Sequence, residues 1–548
     1  MDKRTIIAFV LSFAVLVGWS LLFGPEQAKP PATENQATEQ QKAKEPPTER
    51  PVEVAASSGA EQARSVPPQV SEKMVEVETP LYKAIFSSAG PGIKSFKLKG
   101  YRETIDPNSP YIELANLPGS NDLHMQIGFT DSYRSYGKLL FQSQDGPVRI
   151  DTASGHAELR FKAQTPEGLI LTKTFRFHSN SYVIDLTIEV ENRSEKPAAG
   201  AFAADVRALT PQSKASYYSY VGLVLLKDGK LEELEIEKED KVLNGELRWM
   251  AYEDSYFISA AIPENPIKAS FKGTKQSSGL LEGRMTAQET VIPPGGKADA
   301  RFMLYLGPRD LGILSQAGHG LEQSIDFGWT DIIAKPLLYV MRFFYGYMPN
   351  YGVAIILLTI LVKILFWPLT HKSYKSMKEM QKLQPIMAKI RERHKGNKEE
   401  LNKELMNLYK TYKVNPMSGC LPMIIQIPVF FALFRILGSA IELRHAPFML
   451  WINDLSAPDR LFSFPFDIPL MTPPSGIPVL TLLMGASMFI QQKMTPTPGD
   501  PSQAKIMMFL PIIFNFMFIN FPSGLVLYWL VNNILSIGQQ YRIQKRPA

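Results

Sequence analysis

One lysine, Lys363, lies inside a long apolar run, and no acidic side chain lies in any predicted membrane segment to pair with it. A lysine at the centre of a membrane helix costs about 2.5–3.5 kcal/mol on insertion scales, so such residues usually face a protein interior or a water-filled cavity. The alternative is snorkelling towards the end of the apolar run at Thr370, roughly 10 Å away along a helix, which a lysine side chain spans only in part. We therefore predict that Lys363 is the centre of a functional site, with its charge solvated by water, by backbone groups or by a transient ligand.

Other polar side chains occur within the predicted membrane segments. Taken singly, each of them is most commonly an interhelical hydrogen bond, whereas together with Lys363 they would line a hydrophilic groove. These residues are Thr359, Gln426, Gln491, Asn515, Asn520, Asn532, Asn533 and Ser536.

The sequence offers no set of residues for covalent or metal chemistry. Its one cysteine, Cys420, excludes an intramolecular disulfide and a multi-cysteine metal site, and its seven histidines are scattered without metal-ligand spacing. It contains no recognisable nucleophile–base pair and no glycine-rich phosphate loop. The sequence therefore predicts a protein that is not an enzyme and that has no metal or other cofactor.

The composition differs sharply between the two halves of the chain. The average over 548 residues, 45% hydrophobic and 20% charged, is that of a soluble protein. Residues 73–325 fit that description, but residues 350–541 consist mostly of long apolar runs. A chain of this length accommodates two or more domains, and here we predict one outside the membrane and one within it.

The N-terminal segment, residues 1–24, carries Lys3 and Arg4 ahead of an apolar run from Ile6 to Phe23. The run is either a signal peptide or a membrane anchor. It is longer than the roughly 7–15 residues of a signal-peptide core and no small-residue cleavage site follows it, so we favour an uncleaved anchor with a cytoplasmic N-terminus. Residues 25–72 contain almost no large apolar side chains and are predicted to be a disordered linker.

Residues 73–325 are predicted to form an all-β sandwich. Apolar and polar residues alternate most clearly from Tyr182 to Val190, which is the period of a half-buried strand. Residues 159–163 and 302–306 alternate in the same way, and turn sequences such as residues 293–296 separate such runs. A cleft in this domain would allow ligand binding, but we favour a structural or docking role.

Residues 326–349 are predicted to form an amphipathic helix. Large apolar residues share this segment with Asp331, Lys335 and Arg342, and Pro336 lies in its middle. We expect this helix to lie in the membrane interface and to lead into the next span. The alternative is that it is a core helix of the preceding domain.

Five further spans are predicted in residues 350–541, which makes six with the N-terminal anchor. Counted from a cytoplasmic N-terminus, the β domain lies outside, and residues 370–419 and the C-terminus lie inside. The positive-inside rule agrees, because residues 370–416 contain twelve Lys or Arg against five Glu and the tail, residues 542–548, is also basic. The five predicted spans are residues 352–369, 420–441, 477–491, 506–521 and 525–537.

Residues 371–415, after the first of these five spans, are predicted to form a helical hairpin. Apolar residues recur at helical spacing on both sides of a turn at Gly396-Asn397. The basic surface of this hairpin is either merely solvated or binds lipid head groups, RNA or protein.

Several unusual motifs of the chain resemble the YidC family of membrane protein insertases. They agree with the family in order and spacing, closely over about residues 327–541. The N-terminal anchor, the linker and the large external domain resemble the Gram-negative form of the family. The motifs are WPLT at 367–370, LQP at 383–385, NPMSGCLP at 415–422, QIPVF at 426–430 and FPSGLVLYW at 521–529.

The resemblance implies an insertase and chaperone of the bacterial inner membrane whose large domain is periplasmic. In the family a positively charged groove opens to the cytoplasm and to lipid, and its cation is usually arginine; Lys363 stands at the matching position. A hydrophilic, often acidic, substrate segment would be drawn to Lys363 while the apolar segment slides into lipid. The implied groove residues are Lys363, Thr359, Gln426, Asn515, Asn520, Tyr528 and Trp529, and the implied hydrophobic slide is Ile424, Phe430, Phe431, Phe509 and Phe514.

The resemblance also implies partners: nascent membrane proteins, the Sec translocon with its accessory subunits, the ribosome or signal recognition particle machinery, and the lipid bilayer, but no sequence-specific nucleic acid. The hairpin would receive the nascent chain or ribosome, and its implied residues are Lys378, Lys382, Gln384, Pro385, Arg391 and Arg393. Two other functions fit the residues. The chain would be a secondary transporter that binds an anionic solute at Lys363, although no internal repeat supports this, or a non-catalytic assembly scaffold that the spans only anchor.

Overall fold

The computed structural model describes residues 72–545 except 116, 118–121, 130–138, 144–145, 210–219, 237–238, 395, 413, 415–420, 470 and 496–500. The predicted N-terminal anchor, the predicted linker apart from residue 72, the last three residues of the basic tail and residues 415–420 of the NPMSGCLP motif lie outside the described residues.

The described residues between 74 and 308 form a β domain, as the alternating runs predict, and its strands pair antiparallel except where residues 77–78 pair in parallel with residues 148–149. In the strand from Val183 to Asn192, every second side chain is buried, which is the predicted half-buried pattern. The strands are β1 (Met74–Glu78), β2 (Tyr82–Ser87), β3 (Gly92–Arg102), β4 (Tyr111–Glu113), β5 (Met125–Phe129), β6 (Gln142–Ser143), β7 (Val148–Arg149), β8 (His156–Gln164), β9 (Leu169–His178), β10 (Val183–Asn192), β11 (Ala198–Gly200), β12 (Phe202–Leu209), β13 (Gly222–Lys227), β14 (Lys230–Leu234), β15 (Lys241–Glu253), β16 (Phe257–Pro263), β17 (Ile267–Lys275), β18 (Leu280–Ala287), β19 (Thr290–Ile292) and β20 (Lys297–Pro308).

The hydrogen bonding of this domain is continuous, whereas a sandwich is usually built from two separate sheets. Eighteen of the described strands belong to one sheet. The long strand β15 joins its two halves, because residues 241–247 pair with β17 and residues 250–253 pair with β16. The sheet folds back on itself, so that Phe86 of β2 packs against Phe175 of β9 with ring centroids 4.9 Å apart. Two layers therefore enclose the core, as in a sandwich.

A buried lysine lies in this domain. Lys173 of β9 is only 4% exposed, and its ammonium group donates to the carbonyl oxygen of Pro91 at 3.0 Å. Burial lowers the pKa of Lys173 to about 7 from 10.5, although the charge of Asp205 opposes this shift. The unfolded chain therefore binds more protons than the native chain between pH 7 and pH 10.5, and the native state gains stability as pH rises through that window.

Replacing Lys173 with methionine is expected to remove this rise in stability, because methionine does not titrate. The midpoint of thermal unfolding, measured on the purified protein from pH 7 to pH 10.5, reports it. The control is Lys162→Met on the adjacent strand β8, where the side chain is exposed. Parallel pH profiles for the wild type and Lys173→Met would contradict the assignment.

After β20 the chain is mostly helical, so residues 311–324, placed in the β domain by the sequence, are not strands. Asp310 starts the first helix by accepting hydrogen bonds from the backbone N–H groups of Gly312 and Ile313. The helices are α1 (Leu311–Ala317), α2 (Asp331–Tyr347), α3 (Tyr351–Arg393), α4 (Lys398–Thr411), α5 (Leu421–Ser439), α6 (Val479–Met494), α7 (Pro501–Phe518) and α8 (Ser523–Lys545); two short strands, β21 (Leu461–Ser463) and β22 (Gly476–Ile477), pair between α5 and α6.

Helix α3 merges two elements that the sequence separates. The predicted span 352–369 and the first arm of the predicted hairpin form one helix that continues through Pro368 and Pro385. At about 1.5 Å per residue it is about 65 Å long, roughly twice the hydrocarbon core of a bilayer. Of the helices in the described ranges, α3 alone meets the length and composition of a membrane span, and Ile424–Ser439 and Met508–Phe518 are shorter apolar stretches.

The helices pack around α8. It lies between α3 and α6, while α7 packs on α6, and α2 packs on both α3 and α5. Side chains of α2 such as Ala334, Leu338 and Met341 are buried in these contacts, whereas Ile332 and Tyr347 are exposed. Helix α2 is therefore amphipathic, and its place in the membrane interface stays a prediction.

Arginine side chains join the β domain to the helices. Arg444, just after α5, donates to the carbonyl oxygen of Arg102 at 2.7 Å. Arg342 of α2 lies 3.4 Å from the carboxylate of Asp310 and 3.5 Å from that of Glu442. The C-terminal ends of α2 and α5 are thereby held against the β domain.

Candidate functional site

The ammonium group of Lys363 on α3 donates a hydrogen bond to Ser536 Oγ on α8 at 2.7 Å. The expectation that only water, backbone or a transient ligand would solvate this charge is wrong, because a hydroxyl of the chain itself contributes. No ion pair involves Lys363 among the described residues. The charge is thus solvated but not neutralised, and an ammonium has three donor hydrogens, so it retains the capacity to bind an anion.

A row of polar side chains on α8 continues from this contact. Tyr528, Asn532 and Ser536 are spaced four residues apart and therefore share one face of the helix. Gln426 on α5 donates through Nε2 to the hydroxyl of Tyr528 at 2.6 Å and to Asn532 Oδ1 at 2.9 Å. Ser536 Oγ donates to the carbonyl oxygen of Asn532 at 2.7 Å. We name Lys363, Gln426, Tyr528, Asn532 and Ser536 the polar row.

Two members of the polar row were not among the implied groove residues. Asn532 and Ser536 were identified only as polar residues within a predicted span. The signal that could have selected them is their four-residue spacing from Tyr528, which places all three on one face.

A small cavity of about 10 Å³ lies beside Lys363, between α3 and α5. Its lining combines the ammonium of Lys363 and the amide of Gln426 with apolar side chains. Thr370, at the far end of this lining, accepts a hydrogen bond from Gln539 Nε2 of α8 at 3.0 Å. The lining residues are Val362, Lys363, Phe366, Thr370, Ile425, Gln426 and Val429.

Three implied groove residues have other partners. Thr359 is buried and donates to the carbonyl oxygen of Ile355 in its own helix at 2.7 Å. Asn515 of α7 packs against Gly485 of α6, where a Cβ atom would overlap the Nδ2 atom of Asn515. Asn520 accepts hydrogen bonds from Arg460 Nη2 at 3.1 Å and from the backbone N–H of Thr472 at 2.9 Å. None of the three lines the cavity beside Lys363.

The implied slide residues divide into two groups. Ile424 on α5 and Phe509 on α7 are exposed. Phe430 and Phe514 instead pack on Trp529, with ring centroids 4.8 Å and 6.1 Å from its ring. Phe431 lies 5.9 Å from Trp329, measured between ring centroids. Trp529, implied as a groove residue, is thus part of an aromatic cluster between α5, α7 and α8.

The predicted hairpin is formed by the end of α3 and by α4. Asn397 caps α4 by accepting from the backbone N–H of Glu400 at 3.1 Å. Lys378 donates to the carbonyl oxygen of Ile543 on α8 at 3.2 Å, and Lys382 pairs with Glu379 at 3.1 Å. Of the other implied hairpin residues, Arg391 is half-buried, whereas Gln384, Pro385 and Arg393 are exposed.

Comparison with known proteins identifies the family. The family model "YidC periplasmic domain" matches residues 74–340, and the model "60Kd inner membrane protein" matches residues 343–548. The membrane protein insertase YidC of Syntrophus aciditrophicus (strain SB) is 44% identical over 559 residues, covering 100% of both chains. The chain belongs to the YidC family of membrane protein insertases. Its relative from Syntrophobacter fumaroxidans (strain DSM 10017 / MPOB) is 42% identical over 562 residues, again covering 100% of both chains.

The two family models divide this YidC-family chain near residue 341, between the part with a soluble composition and the mostly apolar part. A solved structure of an active YidC insertase, with its first transmembrane domain resolved, is 18% identical with a TM-score of 0.40, covering 86% of this chain and 93% of that one. All predicted site residues, from Thr359 to Trp529, lie in the part that matches the 60Kd inner membrane protein model. The β domain and the first part of α2 match the YidC periplasmic domain.

Proposed function

We propose that this chain is an inner-membrane insertase that draws a hydrophilic segment of a nascent membrane protein to Lys363 and releases the adjoining apolar segment into lipid. The observation that carries this proposal is an un-neutralised ammonium beside a cavity whose helices also expose apolar side chains. Ile364 and Leu365 follow Lys363 on α3 and are 63% and 70% exposed. A polar path for the hydrophilic segment and an apolar path for the hydrophobic segment therefore both begin at Lys363.

The polar row lowers the barrier that a hydrophilic segment meets in hydrocarbon. An unpaired peptide group costs several kcal/mol in an apolar medium. The amides of Gln426 and Asn532 and the hydroxyls of Tyr528 and Ser536 are able to exchange their mutual hydrogen bonds for bonds to the substrate backbone. Lys363 adds attraction for carboxylates. The scheme needs neither a covalent step nor nucleotide hydrolysis.

The proposal includes the predicted topology of six spans. The N- and C-termini and the hairpin lie in the cytoplasm, and the β domain lies in the periplasm. The length of α3, about 65 Å at about 1.5 Å per residue, supports this, because about half of it suffices to cross the hydrocarbon. The cytoplasmic part would then carry the basic residues of the hairpin. The proposed domain boundaries are those predicted from the sequence, except that the strands of the β domain end at Pro308, and α2 lies at the periplasmic interface.

Partners follow from the placement of charge. We infer that the exposed part of the hairpin, which includes Gln384, Pro385 and Arg393, receives the ribosome, the signal recognition particle machinery or the nascent chain. The same proposal includes that this insertase acts alone or together with the Sec translocon.

A photoreactive side chain tests the path of the substrate. Benzoylphenylalanine at Phe366, which lines the cavity, is expected to cross-link to a ribosome-bound nascent single-span protein with a short acidic N-terminal segment. The matched control is Phe489, an exposed aromatic residue on α6, which α8 separates from α3. Equal cross-linking from both positions would contradict passage beside Lys363.

The two other candidate functions predict different results in lipid vesicles. A transporter would show anion or proton flux that depends on Lys363, and a scaffold would insert substrates equally well without this lysine. An insertase of the proposed kind shows no such flux and loses insertion.

A further inference from the structure

The segment between α5 and α6, residues 440–478 without residue 470, contacts the ends of several helices; we call it the connecting loop. It contacts the start of α3, where Asn350 Nδ2 donates to the carbonyl oxygen of Phe448 at 2.9 Å. It contacts the end of α7, where Arg460 Nη1 donates to the carbonyl oxygen of Ile519 at 2.8 Å. It contacts the start of α8, where the backbone N–H of Gly524 donates to the carbonyl oxygen of Leu455 at 3.0 Å. The connecting loop is therefore fixed at one end of the helix bundle.

The start of α6 is held by the same loop. The carboxylate of Asp459 accepts from the backbone N–H groups of Leu480 and Thr481 and from Trp451 Nε1, the last at 2.6 Å. Asp459 is buried. These hydrogen bonds fix the conformation of the connecting loop. Its exposed side chains therefore lie on a surface of fixed shape.

Large apolar side chains project from this fixed loop. Leu450 is 82% exposed and Phe462 is 70% exposed, with the β domain in place. Met449 and Phe466 are also exposed, and the ring of Phe466 stacks on that of Phe464 at 5.4 Å between centroids. Four apolar side chains exposed in one loop are unusual for a surface that only water covers.

The backbone at two of these positions is also strained. Leu450 has φ 57° and Phe462 has φ 58°, in the left-handed region that glycine, asparagine and aspartate favour over bulky residues. Backbone strain is retained mainly at functional sites, so a strained residue that points an apolar side chain outwards indicates a functional contact for that side chain.

The connecting loop runs directly into a helix of the proposed membrane bundle that also exposes apolar side chains. Leu461 of β21 pairs with Ile477 of β22, two residues before α6 begins. The first turns of α6 expose Leu482 and Leu483. The connecting loop thus leads directly into a helix whose exposed leucines face lipid in the proposed topology, and for this reason we assign lipid as the occupant of the loop's exposed apolar side chains.

We propose that Leu450, Phe462 and Phe466 insert into the outer leaflet of the membrane and fix the depth at which the bundle sits. Loop residues at the end of a bundle meet the interfacial region, where aromatic and aliphatic side chains partition favourably from water. The inference rests on the proposed membrane topology, so its test includes a position that reports on the topology alone.

Single cysteines carrying an environment-sensitive fluorophore test the insertion. In a Cys420→Ser background, Leu450→Cys and Phe462→Cys are labelled, and the full chain is reconstituted into phosphatidylcholine–phosphatidylglycerol vesicles. Nitroxide groups near the lipid head group are expected to quench both fluorophores several-fold more than nitroxides at the bilayer centre. Gel filtration in detergent before reconstitution verifies that each variant is folded and monodisperse.

Two further positions make the result decisive. Ile513→Cys on α7, exposed in the proposed span, is expected to be quenched by nitroxides in the acyl chains. Val242→Cys lies on an exposed part of β15, eleven residues from Glu253 at the end of the strand that faces the helices, and is expected to remain unquenched. If Ile513 is quenched while both loop positions behave like Val242, the loop does not insert, and a protein partner would be its occupant. If Ile513 is not quenched, the topology itself is wrong.

Discussion

Replacing Lys363 with glutamate is expected to stop the insertion of a single-span substrate that carries an acidic N-terminal segment. The substitution puts a negative charge where the substrate carboxylate would bind, beside the hydroxyl of Ser536. Two unit charges about 4 Å apart interact with about 4 kcal/mol at an effective dielectric constant of about 20. A rise of only about 1.4 kcal/mol in the activation free energy slows a rate about tenfold. We therefore expect the insertion rate to fall by at least about tenfold, since attraction is replaced by repulsion.

Replacing Lys363 with alanine or with arginine distinguishes the effect of the positive charge from that of the side-chain shape. Lys363→Ala removes attraction without adding repulsion, so its loss of insertion is expected to be smaller than that of Lys363→Glu. Lys363→Arg keeps the positive charge and is expected to retain most of the activity. The measurement is insertion after depletion of the native protein and complementation with each variant.

The control for these variants is Lys372→Ala, which removes one exposed positive charge from the same helix α3. Insertion should remain unchanged in this variant. Normal insertion by both Lys363→Ala and Lys363→Glu would contradict the proposed site and favour the scaffold. A loss of insertion that follows a loss of folded protein would show only that Lys363 supports the structure, so the amount of each variant in the membrane is measured in parallel.

Replacing Gly352 with valine is expected to destabilise the helical region by about 3 kcal/mol, at the upper end of typical overpacking costs. A Cβ atom on Gly352 would overlap the ring of Phe448 and lie 2.8 Å from its Cβ. Phe448 cannot move away freely, because its carbonyl oxygen accepts from Asn350, which also caps α3. The start of α3 and the connecting loop would therefore have to separate.

The unfolding midpoint in detergent measures this effect, and two variants make it specific. Gly346→Ala in α2 introduces a Cβ with no atom within 4 Å and is expected to be neutral or stabilising by up to about 1 kcal/mol. The pair Gly352→Ala and Phe448→Ala, combined in one chain, should recover stability relative to Gly352→Ala alone. Failure of this recovery would show that the close contact between Gly352 and Phe448 is not the cause.

Much of this protein could be predicted from the sequence, because local periodicity determines local structure. The alternation from Tyr182 to Val190 predicts the strand β10, and the helical spacing around Gly396 predicts the hairpin of α3 and α4. A lysine in an apolar run identifies the centre of the candidate site without any structure. The motifs identify the family, which the match to two family models and to full-length relatives confirms.

Only the tertiary structure decided which polar groups meet. Lys363 and Ser536 are 173 residues apart, and nothing in either segment indicates that the two helices are neighbours with these faces in contact. For the same reason the sequence does not indicate that Asn515 packs on α6 or that Asn520 binds the connecting loop. Periodicity tells which residues share a face of a helix, but the packing of one helix against another decides what that face contacts. The sequence by itself thus determined most of the elements, the family and the charge at Lys363, and the packing determined the hydrogen bonds around that charge.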